Sequence, residues 1–282
     1  MEEKCNQYSV CTVYLNKHLQ SDYYLLGIDI PQMSVRPQPG QFYQVKPLTV
    51  GISNLYTGSL LFKPLSVFDF EEGRVMFMIK AVGKGTEQIA KMVKGDQVVL
   101  IGPLGKGFNF DINRSQEYSR TKSNATQSIL VSGGIGYAPL FYLKKELEKK
   151  GFNSLWLHGG RSSNDIFPAD IICTDDGSQG NKGFITKLIP SVIEDCDRES
   201  ISQIYCCGPK SMMRVVAGLM VHYNLPSQFS LEEYMACGIG VCMGCAVKAA
   251  DVGESNTPSQ KRYLMVCKDG PVFNREEIDW NE

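Results

Sequence analysis

Four cysteines near the C-terminus have a spacing that suits redox chemistry. Cys237, Cys242 and Cys245 form a C-x4-C-x2-C run, and Cys267 follows later in the chain. Plant-type proteins hold a [2Fe-2S] cluster with this spacing, and the glycines within the run allow the backbone to turn tightly around sulfur. Structural zinc is the alternative, but zinc prefers paired C-x2-C units, and only one is present. We therefore predict that these cysteines ligate a [2Fe-2S] cluster and that the chain carries single electrons.

A glycine turn in the middle of the chain has the context of a nucleotide site. The segment Ser132-Gly133-Gly134-Ile135-Gly136 follows a strand pattern over residues 128–132 and precedes a helix pattern from residue 138. The amides of such a turn face outward, where an anionic pyrophosphate can bind. The turn lacks a full G-x-G-x-x-G motif, so a tight connection without a ligand is the alternative. We predict that Gly133, Gly134 and Gly136 bind a dinucleotide.

A second turn, Cys207-Gly208-Pro209, ends another strand of the same predicted sheet. Doubly wound sheets bind ligands at the carboxyl ends of their strands, so Gly208 and Pro209 should border the same nucleotide. This position favours a place for Cys207 beside a nicotinamide. A cysteine that is simply packed at the end of a strand is the alternative.

Two short motifs in the N-terminal part could hold a phosphate group. Lys63-Pro64-Leu65-Ser66 enters a strand, and Gly83-Lys84-Gly85-Thr86 opens a helix, which is a geometry that can cradle phosphate. Taken singly, each motif has a simpler interpretation. The glycines could form a plain turn, and Lys63 could be a solvated surface charge.

The motifs are distributed over three segments with different patterns. Residues 1–112 contain short strands rich in β-branched and aromatic residues, which predicts a small antiparallel barrel. Residues 113–225 begin with a polar linker at 113–127 and then alternate strand and helix patterns, which predicts a doubly wound parallel sheet. Residues 226–282 carry the cysteines as a small C-terminal module. Strands are expected at 8–15, 23–30, 41–46, 75–81, 97–101, 128–132, 154–158, 171–174 and 203–207, and helices at 86–91, 138–150, 184–193 and 210–223.

Composition argues against several classes of partner and compartment. The chain has 282 residues and a net charge of -1, with its charges evenly mixed, so a nucleic acid or an anionic membrane surface is not expected as a partner. No segment resembles a signal peptide or a spanning helix, and we expect a cytoplasmic protein. In a reducing compartment, ten cysteines indicate metal or redox use rather than disulfides. The isolated histidines His18, His158 and His222 predict no metal cluster, and His158 is expected to be structural.

The order of these motifs resembles the ferredoxin-NADP reductase superfamily, and the resemblance covers nearly the whole chain. More narrowly, residues 232–242, 174–178, 182–184 and 266–273 are similar to the electron-transfer subunits of type B dihydroorotate dehydrogenases. The resemblance implies FAD in the barrel, NAD in the α/β domain and a [2Fe-2S] cluster in the C-terminal module.

The resemblance also implies site residues, position by position. Ser66 matches the residue near the reactive edge of the flavin, and Gly85 and Thr86 match the start of the helix that binds the pyrophosphate. Ser66 and Cys207 are therefore the candidate catalytic residues. The residues expected to contact the flavin are Lys63, Pro64, Leu65, Ser66, Met78, Ile79, Lys80, Gly85 and Thr86.

A function and a partner follow from the same resemblance. Members of this family pair with an FMN-containing catalytic subunit that oxidises dihydroorotate, in a heterotetramer of two plus two subunits. The chain would pass electrons from that subunit through the [2Fe-2S] cluster and FAD to NAD+ in UMP biosynthesis. The pyrimidine chemistry would belong to the partner, and flavin would convert single electrons to a hydride, which side chains cannot do.

Two other functions remain open from the sequence. A flavin and iron-sulfur NAD(P)H reductase that serves a ferredoxin, a sulfur-reducing enzyme or an oxygenase would have the same architecture. A regulatory module with a zinc or empty site would keep the fold without turnover, and it would lack the visible absorption of flavin and iron-sulfur. NADP is also open, because Arg161 and Ser162 after the second strand of the sheet could accommodate a 2′-phosphate.

The chain departs from the family pattern at two places. Lys63 stands where arginine is usual, and lysine is a point charge without the bidentate fork of a guanidinium. The segment between Cys245 and Cys267 is longer than usual, and residues 251–261 are expected to form an extra surface loop. Neither departure removes a predicted ligand.

Overall fold

The computed structural model describes residues 7–30, 35–48, 61–110, 127–196, 198–250 and 263–281. The linker expected at 113–127, apart from Gln127, and the loop expected at 251–261 lie outside the described residues. Within the described residues, no helix combines the length and the apolar character that a membrane span requires.

The N-terminal part is a closed barrel of six antiparallel strands in the order β1-β2-β5-β4-β3-β6. Alternate side chains point inward and form an apolar core, in which Val13, Leu26 and Val67 are completely buried. The elements are β1 (Gln7–Gln20), β2 (Tyr23–Asp29), β3 (Phe42–Pro47), β4 (Lys63–Glu71), β5 (Arg74–Lys80), α1 (Lys84–Ala90) and β6 (Gln97–Leu104).

The second part is a seven-stranded sheet in the order β10-β9-β8-β7-β11-β12-β15. Its first six strands pair in parallel, and β15 pairs antiparallel to β12. Helix α2 covers one face and helices α3 and α4 cover the other, so the sheet is doubly wound, as predicted. The elements are β7 (Gln127–Gly133), α2 (Tyr137–Lys149), β8 (Asn153–Gly160), β9 (Ile171–Thr174), β10 (Asn181–Lys182), α3 (Ile189–Asp195), β11 (Ile201–Cys207), α4 (Lys210–Tyr223), β12 (Ser227–Ser230) and β15 (Val272–Asn274).

The C-terminal residues form a small module that is continuous with this sheet. Strands β13 (Ala246–Lys248) and β14 (Tyr263–Met265) make a separate two-stranded hairpin. The residues 226–282, which the sequence pattern groups as one module, also contribute β12 and β15 to the large sheet. The cluster cysteines are therefore held on the rigid edge of the α/β domain.

Helix α2 packs directly on strand β4 of the barrel. Phe68 and Phe141 stack with their ring centroids 4.2 Å apart, and the Lys145 ammonium lies 2.7 Å from the Asp69 carboxylate. Tyr142 is buried among the barrel residues, and its hydroxyl donates to the carbonyl of Pro37 at 3.0 Å. Stacking, charge and burial together fix the orientation of the two domains.

The predicted strands all correspond to observed strands, although β1 continues to Gln20, five residues beyond its predicted end. The helix predicted over 184–193 is wrong as one continuous helix. Ile185–Lys187 forms a 3-10 turn, and α3 begins only at Ile189. Pro190 explains the break, because proline lacks an N–H and is tolerated only in the first turn of a helix.

Candidate functional site

The C-terminal loop surrounds the cluster cysteines with N–H donors. The N–H of Gly240 donates to Cys267 Sγ at 3.0 Å, and the N–H groups of Val241 and Cys242 donate to Cys237 Sγ at 3.4 Å each. Gly240 has a φ of 81°, a left-handed conformation that glycine adopts without strain. The loop can therefore turn its amides toward sulfur, where such hydrogen bonds tune the potential of a cluster.

The four thiols interact with one another. Cys237 interacts with Cys242, Cys267 interacts with Cys245, and besides burial the charge of Cys237 also raises the pKa of Cys267. Within the part of the chain that the structure describes, no group of three His, Cys, Asp or Glu side chains is placed to hold a metal ion. A zinc site gathers four ligands around one ion, whereas a [2Fe-2S] cluster takes two protein ligands on each iron. Four interacting thiols with the plant-type spacing suit the two-iron cluster.

The four cysteines differ in burial. Cys245 and Cys267 are each only 2% exposed, whereas Cys242 is exposed. Desolvation would raise the pKa of Cys237, but the N–H groups of the loop outweigh it and lower this pKa to about 6. Burial raises the pKa of Cys267, and the hydrogen bond with Cys245 raises it further. The cysteine site therefore has one enclosed side and one side at the surface.

The structure brings the two motifs of the barrel together. A Cβ added to Gly85 would lie 2.0 Å from Cε of Lys63, so only glycine leaves room for this lysine over the turn. The Thr86 hydroxyl accepts from the N–H groups of Val82 and Gly83 at 3.1 and 3.2 Å and donates to the Gly83 carbonyl at 3.0 Å. Gly85 and Thr86 thus belong to a braced turn, and Lys63 places a positive charge beside it.

The other predicted flavin contacts divide between the two faces of the barrel wall. Pro64, Ser66 and Met78 are on its outer face, which is directed toward the α/β domain. Leu65 and Ile79 point into the apolar core of the barrel. Since the side chains of Leu65 and Ile79 are enclosed there, these two residues can offer only their backbone to a ligand outside the barrel.

The two glycine turns of the sheet pack against each other. They follow the neighbouring strands β7 and β11. A Cβ on Gly136 would lie 2.3 Å from the carbonyl oxygen of Cys207, and a Cβ on Gly208 would lie 2.9 Å from the Gly133 nitrogen and 2.6 Å from Cε of Met212. The close approach requires glycine on both sides, so Gly133, Gly136, Gly208 and Pro209 form one surface at the carboxyl edge of the sheet.

Cys207 lies at the end of β11 and is completely buried. Its side chain belongs to the apolar cluster on the barrel side of the sheet, with Tyr23, Met78 and Tyr137. Burial raises the pKa of Cys207 well above its ordinary value, so the thiol is neutral at physiological pH. A neutral, enclosed thiol can shape a pocket, but it is not an activated nucleophile.

An ion pair beside the glycine turn joins the two domains. The Lys80 ammonium lies 2.6 Å from Oδ1 of Asp165, and the Tyr23 hydroxyl donates to the same oxygen at 2.8 Å. Desolvation would raise the pKa of Asp165, but the hydrogen bonds from Lys80 and Tyr23 outweigh it and lower the pKa. The sequence analysis did not find Tyr23 or Asp165, because they are 142 positions apart and belong to no local motif.

A buried hydrogen-bond chain continues from Asp165 into the sheet. His158 Nε2 donates to the Asp165 carbonyl at 3.0 Å, and the Ser132 hydroxyl donates to His158 Nδ1 at 2.7 Å. Trp156 Nε1 in turn donates to Ser132 Oγ at 2.8 Å. Burial lowers the pKa of His158 to about 4, so the ring is neutral and supports the strand end that precedes the glycine turn.

Comparisons with known proteins match both the cysteine segment and the chain as a whole. The model of the iron-sulfur cluster binding domain of dihydroorotate dehydrogenase B matches residues 232–279. The electron transfer subunit of dihydroorotate dehydrogenase B (NAD+) from Clostridium perfringens is 35% identical over 86% of this chain and 87% of its own length. The subunit of the same name from Clostridium acetobutylicum is 32% identical over 100% of both chains.

A solved structure extends the likeness to the whole fold. The NADH-dependent reduced ferredoxin-NADP oxidoreductase superposes with a TM-score of 0.75 at 24% identity, covering 97% of this chain and 91% of the other. At that identity the superposition establishes the fold alone, while the curated relatives establish the family. The chain belongs to the family of dihydroorotate dehydrogenase B (NAD+) electron transfer subunits.

Proposed function

We propose that this chain is the electron-transfer subunit of an NAD-dependent dihydroorotate dehydrogenase. It receives the electrons that an FMN-containing catalytic subunit removes from dihydroorotate and delivers them to NAD+, as a step of UMP biosynthesis. Four cysteines with the plant-type spacing and sulfur-directed N–H groups, in a chain that matches such subunits over its whole length, carry the proposal. The chain itself needs no base for dihydroorotate, since that chemistry belongs to the partner.

Three neighbouring surfaces hold the cofactors. When bound, the cluster carries single electrons, and FAD exchanges them with the hydride that NAD+ accepts. The cluster is held by Cys237, Cys242, Cys245 and Cys267. The flavin is held by the side chains or backbone of Lys63, Pro64, Leu65, Ser66, Met78, Ile79, Lys80, Gly85 and Thr86, and NAD by Gly133, Gly134, Gly136, Gly208 and Pro209.

The side chains around the flavin and the nicotinamide have separate tasks. Lys63 places a positive charge beside the Gly85 turn, where the first N–H groups of α1 have no partner within the helix and can face a pyrophosphate. Ser66 offers a hydroxyl on the outer face of β4 near the reactive edge of the ring. Cys207 offers a neutral thiol that excludes water from the nicotinamide side.

The partner docks on an apolar patch beside the exposed ligand Cys242. We define the cluster patch as Tyr234, Ile239, Val241 and Met243, which are 93%, 45%, 74% and 58% exposed. Apolar side chains gathered at one place on a surface favour a protein interface. Because this patch lies on the loop that carries the cluster cysteines, an FMN-containing subunit seated on it would bring its own cofactor close to the cluster.

The assembly is a heterotetramer of two catalytic and two electron-transfer subunits in the cytoplasm. The stoichiometry is inherited from the family resemblance. Ten cysteines in one chain, four of them with cluster spacing, suit metal and redox use in a reducing compartment.

Co-purification with an FMN-containing catalytic subunit tests the proposal. We expect a stable complex that contains FAD, FMN and a [2Fe-2S] cluster and reduces NAD+ with dihydroorotate. A chain that oxidises NADH but neither binds this subunit nor accepts electrons from dihydroorotate would instead be a reductase for a ferredoxin, a sulfur-reducing enzyme or an oxygenase. Such a result would overturn the proposal.

A further inference from the structure

A buried glutamine lies between the barrel and the cluster loop without a hydrogen-bond partner. Gln44 on β3 is 0% exposed. Among the described residues, neither Oε1 nor Nε2 of this side chain has a partner. Leaving a buried polar group unpaired costs about 1–3 kcal/mol, and such a group in a native fold calls for an explanation.

The surroundings of Gln44 point to the cluster site. A Cβ added to Gly238 would lie 2.6 Å from Gln44 Nε2, so the carboxamide packs against the residue that follows the ligand Cys237. Gly238 has a φ of 73°, so its conformation and its neighbour both require glycine. The cluster loop therefore packs closely against the side chain of Gln44.

The apolar neighbours of Gln44 lead to the same site. Phe42, two residues earlier and therefore on the same face of β3, belongs to one apolar cluster with Cys245 and Cys267. Ile101, which lies opposite Gln44 on β6, packs against that cluster as well. Ser66 on the neighbouring strand is partly accessible, whereas Gln44 is wholly enclosed, like Cys245 and Cys267.

We infer that the carboxamide of Gln44 donates a hydrogen bond from Nε2 to an inorganic sulfide of the bound [2Fe-2S] cluster, since no cysteine sulfur among the described residues is its partner. Cluster sulfurs carry negative charge and accept hydrogen bonds but cannot donate them. The N–H2 group must therefore face sulfur, and since the two ends of a glutamine amide are exchanged by a simple rotation, this chemistry decides the orientation. Gln44 is then a barrel residue that tunes the cluster and ties the cluster loop to the flavin domain.

Removal of the amide should make the cluster harder to reduce, since hydrogen bonds to sulfur stabilise its reduced, more negative form. We expect Gln44→Leu to lower the equilibrium constant for reduction of the cluster about tenfold. For a one-electron couple this is a shift of about 59 mV to a more negative potential. Gln44→Asn, which is one methylene shorter and cannot reach as far, should shift the potential in the same direction. The matched control is Gln97→Leu, which removes an exposed carboxamide from β6 and should leave the potential unchanged.

The experiment is a redox titration of the purified full chain, followed by the electron paramagnetic resonance signal of the reduced cluster and by flavin absorbance. A shift of the cluster potential in both variants, with an unchanged flavin, supports the inference. An unchanged cluster potential, or a shift confined to the flavin, overturns it. In wild-type protein labelled with side-chain [15N]glutamine, a weak nitrogen coupling to the reduced cluster is also expected, and its absence overturns the inference even if the variants do not fold.

This inference rests on the proposed function only in requiring a [2Fe-2S] cluster. A wild-type chain without a [2Fe-2S] signal would contradict the proposed function. A normal cluster signal that does not respond to Gln44 would contradict the inference alone.

Discussion

The ammonium of Lys80, on the last residue of barrel strand β5, lies 2.6 Å from the carboxylate of Asp165 in the α/β domain. The same carboxylate oxygen accepts a hydrogen bond from the Tyr23 hydroxyl. The carbonyl of Asp165 accepts a hydrogen bond from His158, which lies next to the strand that precedes the glycine turn. One residue therefore couples the barrel to the strand end that precedes the Gly133 turn. Hydride transfer depends on the relative placement of the two rings, so this contact should matter for turnover as well as for stability.

Replacement of Lys80 by methionine should weaken the junction between the domains. The ion pair is largely buried, with the two side chains 26% and 10% exposed, and the variant leaves the Asp165 carboxylate without its cation. We expect the free energy of unfolding to fall by about 2 kcal/mol, between the values typical of surface and buried pairs. Urea unfolding of the FAD-loaded chain measures this change.

The control for Lys80 is on the same strand. Arg74→Met removes the exposed pair between Arg74 and Asp29 and should leave the unfolding free energy nearly unchanged. In NADH oxidation with an artificial acceptor, Lys80→Met should lower kcat more than it raises KM. Equal stability of the two variants, or a normal kcat in Lys80→Met, would contradict a positioning role for Lys80.

The buried His158 should make stability depend on pH. Its pKa is about 4 in the folded chain and 6.5 in the unfolded chain, so the unfolded state binds more protons between these values. Stability therefore falls as the pH drops below 6.5, and this residue alone should cost about 2 kcal/mol between pH 7 and pH 5. Urea unfolding of His158→Gln at the two pH values should give a correspondingly smaller drop. A drop equal to that of the wild type would mean that His158 is not the titrating group.

The contact between Lys63 and Gly85 should control FAD affinity. Gly85→Val would put a branched side chain where the Lys63 stem lies, and a lysine can swing into solvent at little cost in stability. We expect FAD affinity to fall about tenfold, or about 1.4 kcal/mol, with unchanged thermal stability of the apoprotein.

Gly83→Ala is the matched control for Gly85→Val, because no atom lies within 4 Å of a Cβ at Gly83 and its φ of -168° suits any residue. Fluorescence titration with FAD compares the two variants. If both bind FAD as tightly as the wild type, Lys63 does not hold the pyrophosphate.

The cluster patch should govern binding of the catalytic subunit. Val241→Asp places a charge at the centre of the patch, and desolvation of that charge in an apolar interface is costly. We expect at least a tenfold weaker complex in sedimentation experiments, with a normal cluster spectrum. Val221→Asp, at a valine that is 60% exposed on α4, is the control and should bind normally. Equal binding by both variants would place the interface elsewhere on the chain.

The sequence predicts local features best. The turns at Gly133 and Gly85 are present as expected, because each is a short motif between a strand and a helix, while ligation by the four cysteines stays a prediction. The inward orientation of Leu65 and Ile79 was missed, since a motif does not state which face of a strand its members occupy. Strands β12 and β15 were missed as well, because they are short and lie in a segment whose sequence shows little regular pattern.

The contacts between domains could not be predicted from the sequence. The partner of Asp165 depends on the closure of the barrel against α2. In the sequence, Gln44 looks like an ordinary strand residue. It is buried only because the cluster loop folds over β3. Both features depend on pairs of residues that are far apart in the chain, and a single sequence carries no record of such pairs.

The most direct test measures dihydroorotate-dependent NADH formation by wild-type and Cys242→Ser chains, each assembled with the same FMN-containing catalytic subunit. FAD content and NADH oxidation with a flavin-level acceptor serve as internal controls for each complex. We expect NADH formation to be lost in the variant while both controls remain normal, because Cys242 is exposed and is the proposed cluster ligand nearest to the proposed docking patch. A variant that lacks an intact cluster and still forms NADH from dihydroorotate at the wild-type rate would contradict the proposed electron-transfer role.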